Sequence, residues 1–599
     1  MLALEHARQH LARGQWALAR PLLERAARSD PKDAEAAFLL ARTLQMLGER
    51  EPAAYHAQRC VELRPGDANA RVAAAELLQA VGKAGEAERL FRAGIAKFPA
   101  LAAMHTGLIN ALRAQGRLGE AGDAAVFATN AFERDPLLAI VGAGALGESL
   151  RSREAAALVR RAVALATVGG PGDHRILRAA ATMLLYCDDA SETERASLHA
   201  ALGRAFAAAF PAVPLAPRER HHPLRVGLVS PDFRDHAVAR FLEPWLGRHD
   251  RGRVAIVGVP TLGPADDTSQ RLRAACDEWV DVSALGDDAA VAAIRSAELD
   301  VAIDLGGWHV TARPSLFARR IAPRQLTWLG YAHATGLPTI DARLTDSIAD
   351  PGLTGTLEPL LALEPCFVCF GPDPRTPPIE HAAAANREQG SSGAAGGTGG
   401  GVRFASFNAQ QKITPATLDL WCRVLNAVPR SRLVLKARAL ADAGTRRVLD
   451  THLRSRGVDP ARVETLPHAG DYRSHLAHYN SCDLALDTMP YNGTTTTCEA
   501  MLMGLEVITL AGTHHAARVG ASLLAAAGCG DSVAPDSDAF VRRCVDAAGA
   551  WEARGATERQ AVKQARREAL LASPLCDGTR FAASWQDAVW AFASAQGAG

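Results

Sequence analysis

This sequence has almost no net charge, no long apolar run and only one close pair of cysteines. Its 66 Lys and Arg residues almost balance 65 Asp and Glu residues, which leaves a net charge of +1 and no general attraction to nucleic acid or to an anionic membrane. No run reaches the roughly 18 apolar residues that a membrane span needs. The eleven cysteines are spread singly, apart from Cys366 and Cys369, so we expect reduced thiols rather than a disulfide framework.

Two further absences concern the N-terminus and metal sites. Residues 1–16 scatter charged side chains through an amphipathic pattern without an apolar stretch and cleavage site, which argues against a secretory signal. Together with reduced thiols, this predicts a cytoplasmic protein. A zinc site needs four ligands, and no second Cys pair or His pair follows Cys366 and Cys369 at a suitable spacing. We therefore predict that both are buried apolar residues and that no metal is bound.

A repeat with one fixed period occupies the start of the chain, whose 599 residues predict three or more folded units. Glycine recurs every 34 residues, at Gly14, Gly48, Gly82 and Gly116. Proline keeps the same period at Pro31, Pro65 and Pro99, and Pro136 follows three residues late. The pattern resembles the tetratricopeptide repeat, in which glycine lies at the turn between two helices. We predict an array over 1–136 that binds extended peptide; a purely structural or dimerising array is the alternative.

The rest of the chain changes from helical to alternating segments. Residues 137–222 are alanine-rich and lack the period, so we expect capping helices there. From Leu224 onward, short apolar runs alternate with helical stretches, which is typical of parallel sheets with crossover helices. We expect one α/β lobe at 223–382, a disordered Gly/Ser-rich linker at 383–401 and a second lobe at 402–599. Ligands of such folds bind at the carboxyl ends of strands, here in the cleft between lobes.

The most informative motif is LALDTMPYNGTTTTCEAMLMG, residues 484–504. A strand ends at Asp487, an Asn-Gly turn follows, and a helix begins near Thr495. Free amides and hydroxyls at a helix start suit a diphosphate, and Glu499, one turn further along, can accept hydrogen bonds from ribose hydroxyls. Four successive threonines are equally consistent with a simple helix cap.

Two other strand ends supply candidate catalytic residues. Asn408 and Lys412 follow a predicted strand and precede a helix with the expected N-cap Thr414. A lysine at this place either neutralises charge on a departing diphosphate or is an ordinary solvated lysine. His236 follows the first strand of the other lobe, where a histidine is either structural or catalytic.

Six blocks between residue 224 and about residue 535 match a known family. They are LRVGLVSPDFRDH, DLGGWHVTARPSLFARRIAPRQLTWLGYAHATG, LTDSIADP, FASFNAQQKITPATLDLW, DTMPYNGTTTTCEAMLMG and RVGASLL. They resemble the O-GlcNAc transferase and SPINDLY family, glycosyltransferase family 41, which joins a catalytic region to tetratricopeptide repeats. The resemblance implies a multidomain protein: an all-α tetratricopeptide superhelix followed by an α/β GT-B fold with two Rossmann-like lobes.

The resemblance also implies roles for individual residues. His236 matches the active-site histidine of the first lobe, and Lys412 matches the lysine that stabilises the leaving diphosphate. His475 lies where the family contacts the nucleotide. The other residues of the implied nucleotide-sugar site are Asn408, Asn492, Gly493, Thr494, Thr495, Thr496, Glu499 and Arg518.

The sequence departs from the animal members of the family around the donor. Ala409 stands where they have a glutamine that helps to hold the donor, Thr494 replaces a histidine beside the phosphates, and Glu499 replaces an aspartate. Tyr472 and His478 replace basic residues near the nucleotide. These departures leave the identity of the sugar donor open.

We therefore predict an inverting protein O-glycosyltransferase that transfers N-acetylglucosamine from UDP-GlcNAc to Ser or Thr, without a metal or other cofactor. GDP-fucose, or UDP-glucose transferred to asparagine, are the alternative donors. A catalytically degenerate nucleotide-sugar sensor on a repeat scaffold is the alternative from another class, and Ala409 favours it. The predicted partners are a nucleotide sugar and protein or peptide acceptors in the repeat groove, with a homodimer as a further option and no nucleic acid or membrane.

Overall fold

The computed structural model describes residues 2–166, 173–353, 357–380, 401–467 and 469–595. The predicted linker 383–401 lies outside these described residues, apart from Gly401. The chain divides into two compact units. One consists of Met1–Val168 with Ala439–Val448, and the other of Gly169–Arg438 with Leu449–Gly599.

The first unit is an array of helix pairs. Its helices up to residue 166 are α1 (Leu2–Ala12), α2 (Trp16–Ser29), α3 (Ala34–Met46), α4 (Arg50–Leu63), α5 (Ala68–Ala80), α6 (Ala84–Lys97), α7 (Ala102–Ala114), α8 (Leu118–Ala131), α9 (Pro136–Glu148) and α10 (Ser152–Ala166). The turns inside the first four pairs contain Gly14, Gly48, Gly82 and Gly116, with φ of +69, +82, +81 and +75°. Because glycine adopts positive φ without strain, the predicted helix repeat with glycine turns is confirmed.

Small residues and aspartate caps explain why the pairs recur. Four alanines of the second helices have no exposed surface and let neighbouring helices approach closely: Ala19, Ala53, Ala87 and Ala121. Asp33, Asp67 and Asp135 accept hydrogen bonds from backbone N–H groups in the first turns of α3, α5 and α9. These bonds satisfy donors that a helix start leaves free.

The second unit begins with helices α11 (Asp173–Leu184) and α12 (Glu192–Ala209), followed by a parallel sheet. Its strands are β1 (Leu224–Ser230), β2 (Val254–Pro260), β3 (Glu278–Trp279), β4 (Val301–Asp304), β5 (Arg324–Thr327), β6 (Ala342–Thr345) and β7 (Leu360–Ala362). They lie in the order β3-β2-β1-β4-β5-β6-β7. The intervening helices are α13 (Ala237–Leu242), α14 (Asp267–Ala275), α15 (Asp287–Ser296) and α16 (Pro314–Ala318).

A second parallel sheet follows residue 401. Its strands are β8 (Arg403–Ser406), β9 (Arg432–Leu435), β10 (Val463–Thr465), β11 (Leu484–Leu486), β12 (Glu506–Leu510) and β13 (Val533–Ala534), in the order β10-β9-β8-β11-β12-β13. The helices of this part are α17 (Pro415–Ala427), α18 (Ala443–Ser455), α19 (Tyr472–Ala477), α20 (Thr495–Leu502), α21 (Val519–Ala526), α22 (Ser537–Glu552), α23 (Ala556–Leu571) and α24 (Gly578–Ser594).

The order of the strands places the candidate residues. In the first sheet β1 lies between β2 and β4, and in the second β8 lies between β9 and β11. The strand order reverses at these points, and ligands of parallel sheets bind at the carboxyl ends of the strands there. His236 follows β1, Lys412 follows β8, and Asp487 follows β11 directly.

The last helix packs against a different lobe from the one that its position in the sequence predicts. Residues 402–599 were expected to form the second lobe, but α24 packs in the core of the first sheet, where the rings of Trp585 and Trp245 lie 4.8 Å apart. The chain thus returns to its first lobe, because α24 has an apolar face that this core covers. The order of elements along the chain gives no sign of such a return.

Two predicted absences bear on the fold. None of the helices in the described residues is long and apolar enough to cross a membrane. Cys366 and Cys369 are fully buried, and burial raises the pKa of the Cys369 thiol to about 12. Within the described residues, no group of three or more His, Cys, Asp or Glu side chains is arranged to hold a metal ion.

A buried lysine in α23 provides a test of the fold. Lys563 is 5% exposed, and its Nζ donates to the backbone carbonyls of Tyr479, Asn480 and Cys482. We expect Lys563→Met to lower the free energy of unfolding by about 3 kcal/mol, because three carbonyls lose a charged donor. Urea denaturation measures this, with the exposed Lys32→Met as control. A loss below about 0.5 kcal/mol, the range of surface substitutions, would contradict the assignment.

Candidate active site

A compact turn connects β11 to α20, and Asp487 holds it together. The buried carboxylate of Asp487 accepts hydrogen bonds from Thr488 N (2.8 Å), Gly493 N (2.7 Å) and Thr509 Oγ1 (2.7 Å). Burial raises the pKa of Asp487 to about 6, while these hydrogen bonds and Lys412 act in the opposite direction. One buried carboxylate thus holds the turn in its conformation.

Asn492 supports the same turn with its side chain. The residue is fully buried, its Nδ2 donates to Thr488 O (2.8 Å), and its Oδ1 accepts from Gly520 N (3.2 Å). Both ends of the amide are therefore used within the protein. Its backbone carbonyl is the part of Asn492 that meets Lys412.

Lys412 ends a short turn of residues 410–412 after β8. Its Nζ donates to Asn492 O (2.7 Å) and lies 4.2 Å from the centre of the Tyr491 ring. Burial lowers the pKa of this lysine to about 8, opposed by the charge of Asp487. The predicted N-cap Thr414 accepts from Thr417 N (3.2 Å) at the start of α17. The ammonium is thus fixed beside the turn that leads into α20.

Helix α20 begins at Thr495, as the motif predicts. Thr494 occupies the N-cap without a side-chain hydrogen bond to the helix. Thr496 Oγ1 donates to Asn408 Oδ1 (2.9 Å), which joins the helix to the end of β8. Both residues line a small, partly open cleft that Asp487 and Thr497 also border. The predicted diphosphate residues therefore gather at the carboxyl ends of β8 and β11.

A chain of three polar side chains extends from α20. Lys436 Nζ donates to His475 Nδ1, and His475 Nε2 lies 3.1 Å from Glu499 Oε2. Because an ammonium only donates, His475 accepts at Nδ1 and carries its proton on Nε2, which donates to Glu499. Glu499 is 4% exposed, and His475 fixes the direction of its carboxylate. The two residues that the resemblance assigns to the nucleotide thus contact each other.

His236 occupies the N-cap of α13 in the first lobe. Its Nδ1 accepts from Val238 N (3.3 Å) and lies 3.5 Å from Asp232 Oδ2. Burial lowers the pKa of His236, although the nearby Asp232 acts against that shift. The side chain is one-third exposed, so it is accessible to a ligand. Among the described residues, no hydrogen bond or ion pair joins His236 to the Lys412 cluster.

The Arg518 guanidinium bonds to two backbone carbonyls. Its Nε donates to Ile348 O (2.8 Å) and its Nη1 to Gly512 O (3.1 Å). The guanidinium therefore links the second lobe to the segment after β6 of the first. A role of Arg518 in binding the donor stays a prediction.

The residues that replace basic side chains in the animal enzymes also have defined neighbours. Tyr472 lies against two guanidinium groups, with Arg240 Cζ 4.6 Å and Arg375 Cζ 5.3 Å from the centre of its ring. Arg240 and Arg375 come from the first lobe, and both pair with Asp235. Burial, Lys436 and His475 lower the pKa of His478 to about 4. Positive charge near Tyr472 thus comes from the other lobe.

The structure brings together most of the predicted site and adds residues to it. Asn408, Lys412, Asn492 and Thr496 form one cluster, and His475 with Glu499 continues it. Sequence reasoning did not assign roles to Tyr491 and Lys436. Tyr491 stands inside the central motif and Lys436 follows β9 directly, so position after a strand was the available signal.

Comparison with known proteins identifies the family of this chain. The family model "Glycosyl transferase family 41" matches residues 206–356 and 396–583. The model "Anaphase-promoting complex, cyclosome, subunit 3" matches residues 12–93 of the helical array. The chain is 35% identical over 377 residues to an Arabidopsis thaliana protein, which covers 62% of this chain and 39% of that protein. That relative is named "Probable UDP-N-acetylglucosamine--peptide N-acetylglucosaminyltransferase SPINDLY".

Two further relatives extend the comparison. An Oryza sativa protein of the same name is 33% identical over 418 residues, 68% of this chain and 43% of that protein. A variant of the O-GlcNAc transferase from Thermobaculum terrenum has a solved structure that matches with 27% identity and a TM-score of 0.59, covering 99% of this chain and 96% of that one. The chain spans about two fifths of the length of the curated SPINDLY relatives it matches. It belongs to glycosyl transferase family 41.

Proposed function

We propose that this chain is an inverting protein O-glycosyltransferase that moves N-acetylglucosamine from UDP-GlcNAc to Ser or Thr hydroxyls. The observation that supports this most is the position of Lys412, whose Nζ lies 2.7 Å from the Asn492 carbonyl in the turn before α20. A fixed cation and a helix start at one place match the charge of a diphosphate. The sugar and the peptide acceptor come from the names of the relatives.

The reaction is a single displacement. The acceptor oxygen bonds to the anomeric carbon while the bond from that carbon to the diphosphate breaks, so the configuration inverts. Negative charge grows on the departing diphosphate. Lys412 and the backbone N–H groups at the start of α20 stabilise this charge, which is the task that a metal ion performs in other transferases. The proposal therefore includes no resident metal.

His236 acts on this reaction as a neutral imidazole. Its lowered pKa leaves it uncharged near neutral pH. Because Val238 N–H donates to Nδ1, the proton lies on Nε2, and the ring presents a donor to a ligand oxygen. His236 then orients the acceptor or the sugar by hydrogen bonding. In this tautomer it does not take the acceptor proton, which is then lost late, to water.

The helical array is the proposed site for protein or peptide acceptors. Stacked helix pairs present an extended surface, which suits an extended peptide. A cytoplasmic location and a homodimer stay predictions.

The pH dependence of the reaction follows from Lys412. Its pKa of about 8 means that raising the pH through this value removes the positive charge that the diphosphate needs. We expect kcat/KM for the donor to be level below pH 8 and to fall about tenfold per pH unit above it. The limb in kcat lies at higher pH, because a bound diphosphate stabilises the ammonium. Initial rates between pH 6.5 and 9.5 measure both limbs; a flat kcat/KM profile would remove Lys412 from this role.

Donor turnover in EDTA tests the proposed function. Purified full-length protein is incubated with UDP-GlcNAc, UDP-glucose or GDP-fucose, with and without a mixture of Ser/Thr peptides, and released nucleoside diphosphate is measured. We expect release from UDP-GlcNAc that EDTA does not change and that peptides increase. Release from only one of the other donors would replace the proposed sugar. Binding of a donor without any turnover would favour the sensor and scaffold alternative.

A further inference from the structure

The helices that precede the first sheet reach the predicted leaving-group lysine. Tyr186 lies in the turn after α11, and its ring stacks on Tyr491 with centroids 5.1 Å apart and an angle of 26° between the planes. Tyr491 is the ring against which the ammonium of Lys412 rests, at 4.2 Å. Three side chains from three separate segments therefore form one row: Tyr186, Tyr491 and Lys412.

The same turn makes a second contact with the segment of Lys412. Asp188 Oδ2 accepts a hydrogen bond from Ala416 N (3.0 Å), in the first turn of α17. Ala416 is four residues after Lys412, so this bond fixes the start of the helix that follows the lysine. Residues 186–188 thus contact the helix after Lys412 directly, through Asp188, and the Lys412 ammonium indirectly, through Tyr491.

The turn itself is held firmly. Buried Arg195 of α12 donates from Nη2 to Cys187 O (3.1 Å), the carbonyl between Tyr186 and Asp188. In α11, Arg178 donates to the carbonyls of Trp308 and Ala312 in the loop after β4 (3.2 and 2.9 Å). The pair of helices is therefore anchored in both lobes. Tyr186 therefore has a fixed position and can hold the ring of Tyr491 in place.

We propose that Tyr186 is a positioning residue that acts through Tyr491 on Lys412. The aromatic stack fixes the plane of Tyr491, and this ring in turn keeps the ammonium beside the Asn492 carbonyl and shields it from water. The contact of a cation with an aromatic face and the contact of an aromatic pair each stabilise the structure modestly, but both depend on the ring of Tyr491. The sequence predicts capping helices over residues 137–222; residues 186–188 of that stretch support the site. The functional meaning of this role rests on the proposed function.

The position of Lys412 can be measured without any nucleotide. Amine acylation of the full-length protein is followed by peptide mass spectrometry as a function of pH, which reports the accessibility of each lysine. We expect Tyr186→Met to speed acylation of Lys412 about tenfold, because the loss of one aromatic pair frees Tyr491. Tyr186→Phe keeps the ring and stays within about twofold of the unmodified protein. Lys32, in the helical array, is the internal control and is labelled equally in all three proteins.

The outcomes separate positioning from simple packing. Far-UV circular dichroism and urea unfolding show first that each variant is folded. If Tyr186→Met does not fold, Tyr186→Leu removes the same stack with another apolar side chain, leaves Tyr491 in place and must expose Lys412 in the same way. Unchanged acylation of Lys412 in a folded variant that lacks the stack would overturn the proposal.

A double-mutant cycle connects the position to ligand binding. Affinities of UDP and GDP are measured by calorimetry for the wild type, Tyr186→Met, Lys412→Ala and the double variant. We expect Tyr186→Met to weaken the binding of whichever nucleotide binds more tightly. The loss is about tenfold when Lys412 is present and less than twofold in the Lys412→Ala background. Equal weakening in both backgrounds would show that Tyr186 does not act through Lys412. If neither nucleotide binds the wild type, the proposed function fails, whereas the acylation result still decides the positioning role.

Discussion

Replacing Lys412 by alanine is expected to reduce donor turnover about a thousandfold while the protein stays folded. Lys412 is the cation that lies against the turn before α20, with its Nζ 2.7 Å from Asn492 O. Loss of one fixed group that stabilises charge in the transition state typically costs 10²–10³ in kcat. The loss should be larger in kcat than in donor affinity, because the diphosphate gains charge as the sugar departs. Steady-state kinetics of nucleoside diphosphate release measure both.

The control for this variant removes an exposed lysine of the helical array. Lys32→Ala changes the net charge by the same amount at an exposed position between α2 and α3. It should leave kcat within about twofold of the wild type. A Lys412→Ala protein that keeps a tenth or more of the activity would show that another group stabilises the leaving diphosphate.

The second large effect is expected at Gly493. A Cβ at this position would lie 2.4 Å from Thr496 Oγ1, 2.9 Å from Thr497 Oγ1 and 3.0 Å from Asn408 Oδ1. Thr496 Oγ1 is already bonded to Asn408, so Gly493→Ala must move the Thr496 side chain and break this bond at the start of α20. We expect kcat/KM for the donor to fall about a hundredfold, since shifts of this size in a positioned site have such costs.

Gly549 supplies a matched control for this substitution. It lies on an exposed face of α22, and a Cβ there meets no atom within 4 Å. Gly549→Ala should leave turnover unchanged and stabilise the helix by up to about 1 kcal/mol. Activity of Gly493→Ala within fivefold of the wild type would mean that the diphosphate does not depend on the start of α20.

The sequence predicted the repeats and the main strands because both have strong periodic signals. The 34-residue glycine spacing corresponds to turns with positive φ at Gly14 and its equivalents, a requirement that few other residues meet. β1, β2 and β12 begin and end where their apolar runs do. β3 and β13, with two residues each, are too short to produce a period.

The contacts between distant segments could not be predicted in this way. The motif around Asp487 indicated a ligand site, but the inner hydrogen bonds of Asp487 and Asn492 depend on the folded turn. Tyr186 lies in a segment with no motif, and only the tertiary structure places it on Tyr491. The return of α24 to the first lobe has the same cause. Local patterns predict elements, whereas partners far apart in the chain depend on packing.

The chemical linkage between the transferred sugar and the acceptor tests the central claim most directly. Full-length protein is incubated with UDP-GlcNAc and peptide acceptors in EDTA, and the product is analysed by tandem mass spectrometry and by NMR of the anomeric proton. Since the donor sugar is α-linked, a single displacement predicts one β-linked N-acetylglucosamine on a Ser or Thr oxygen, absent with Lys412→Ala. An α linkage, a sugar on asparagine, or no transfer from UDP-GlcNAc would contradict the account.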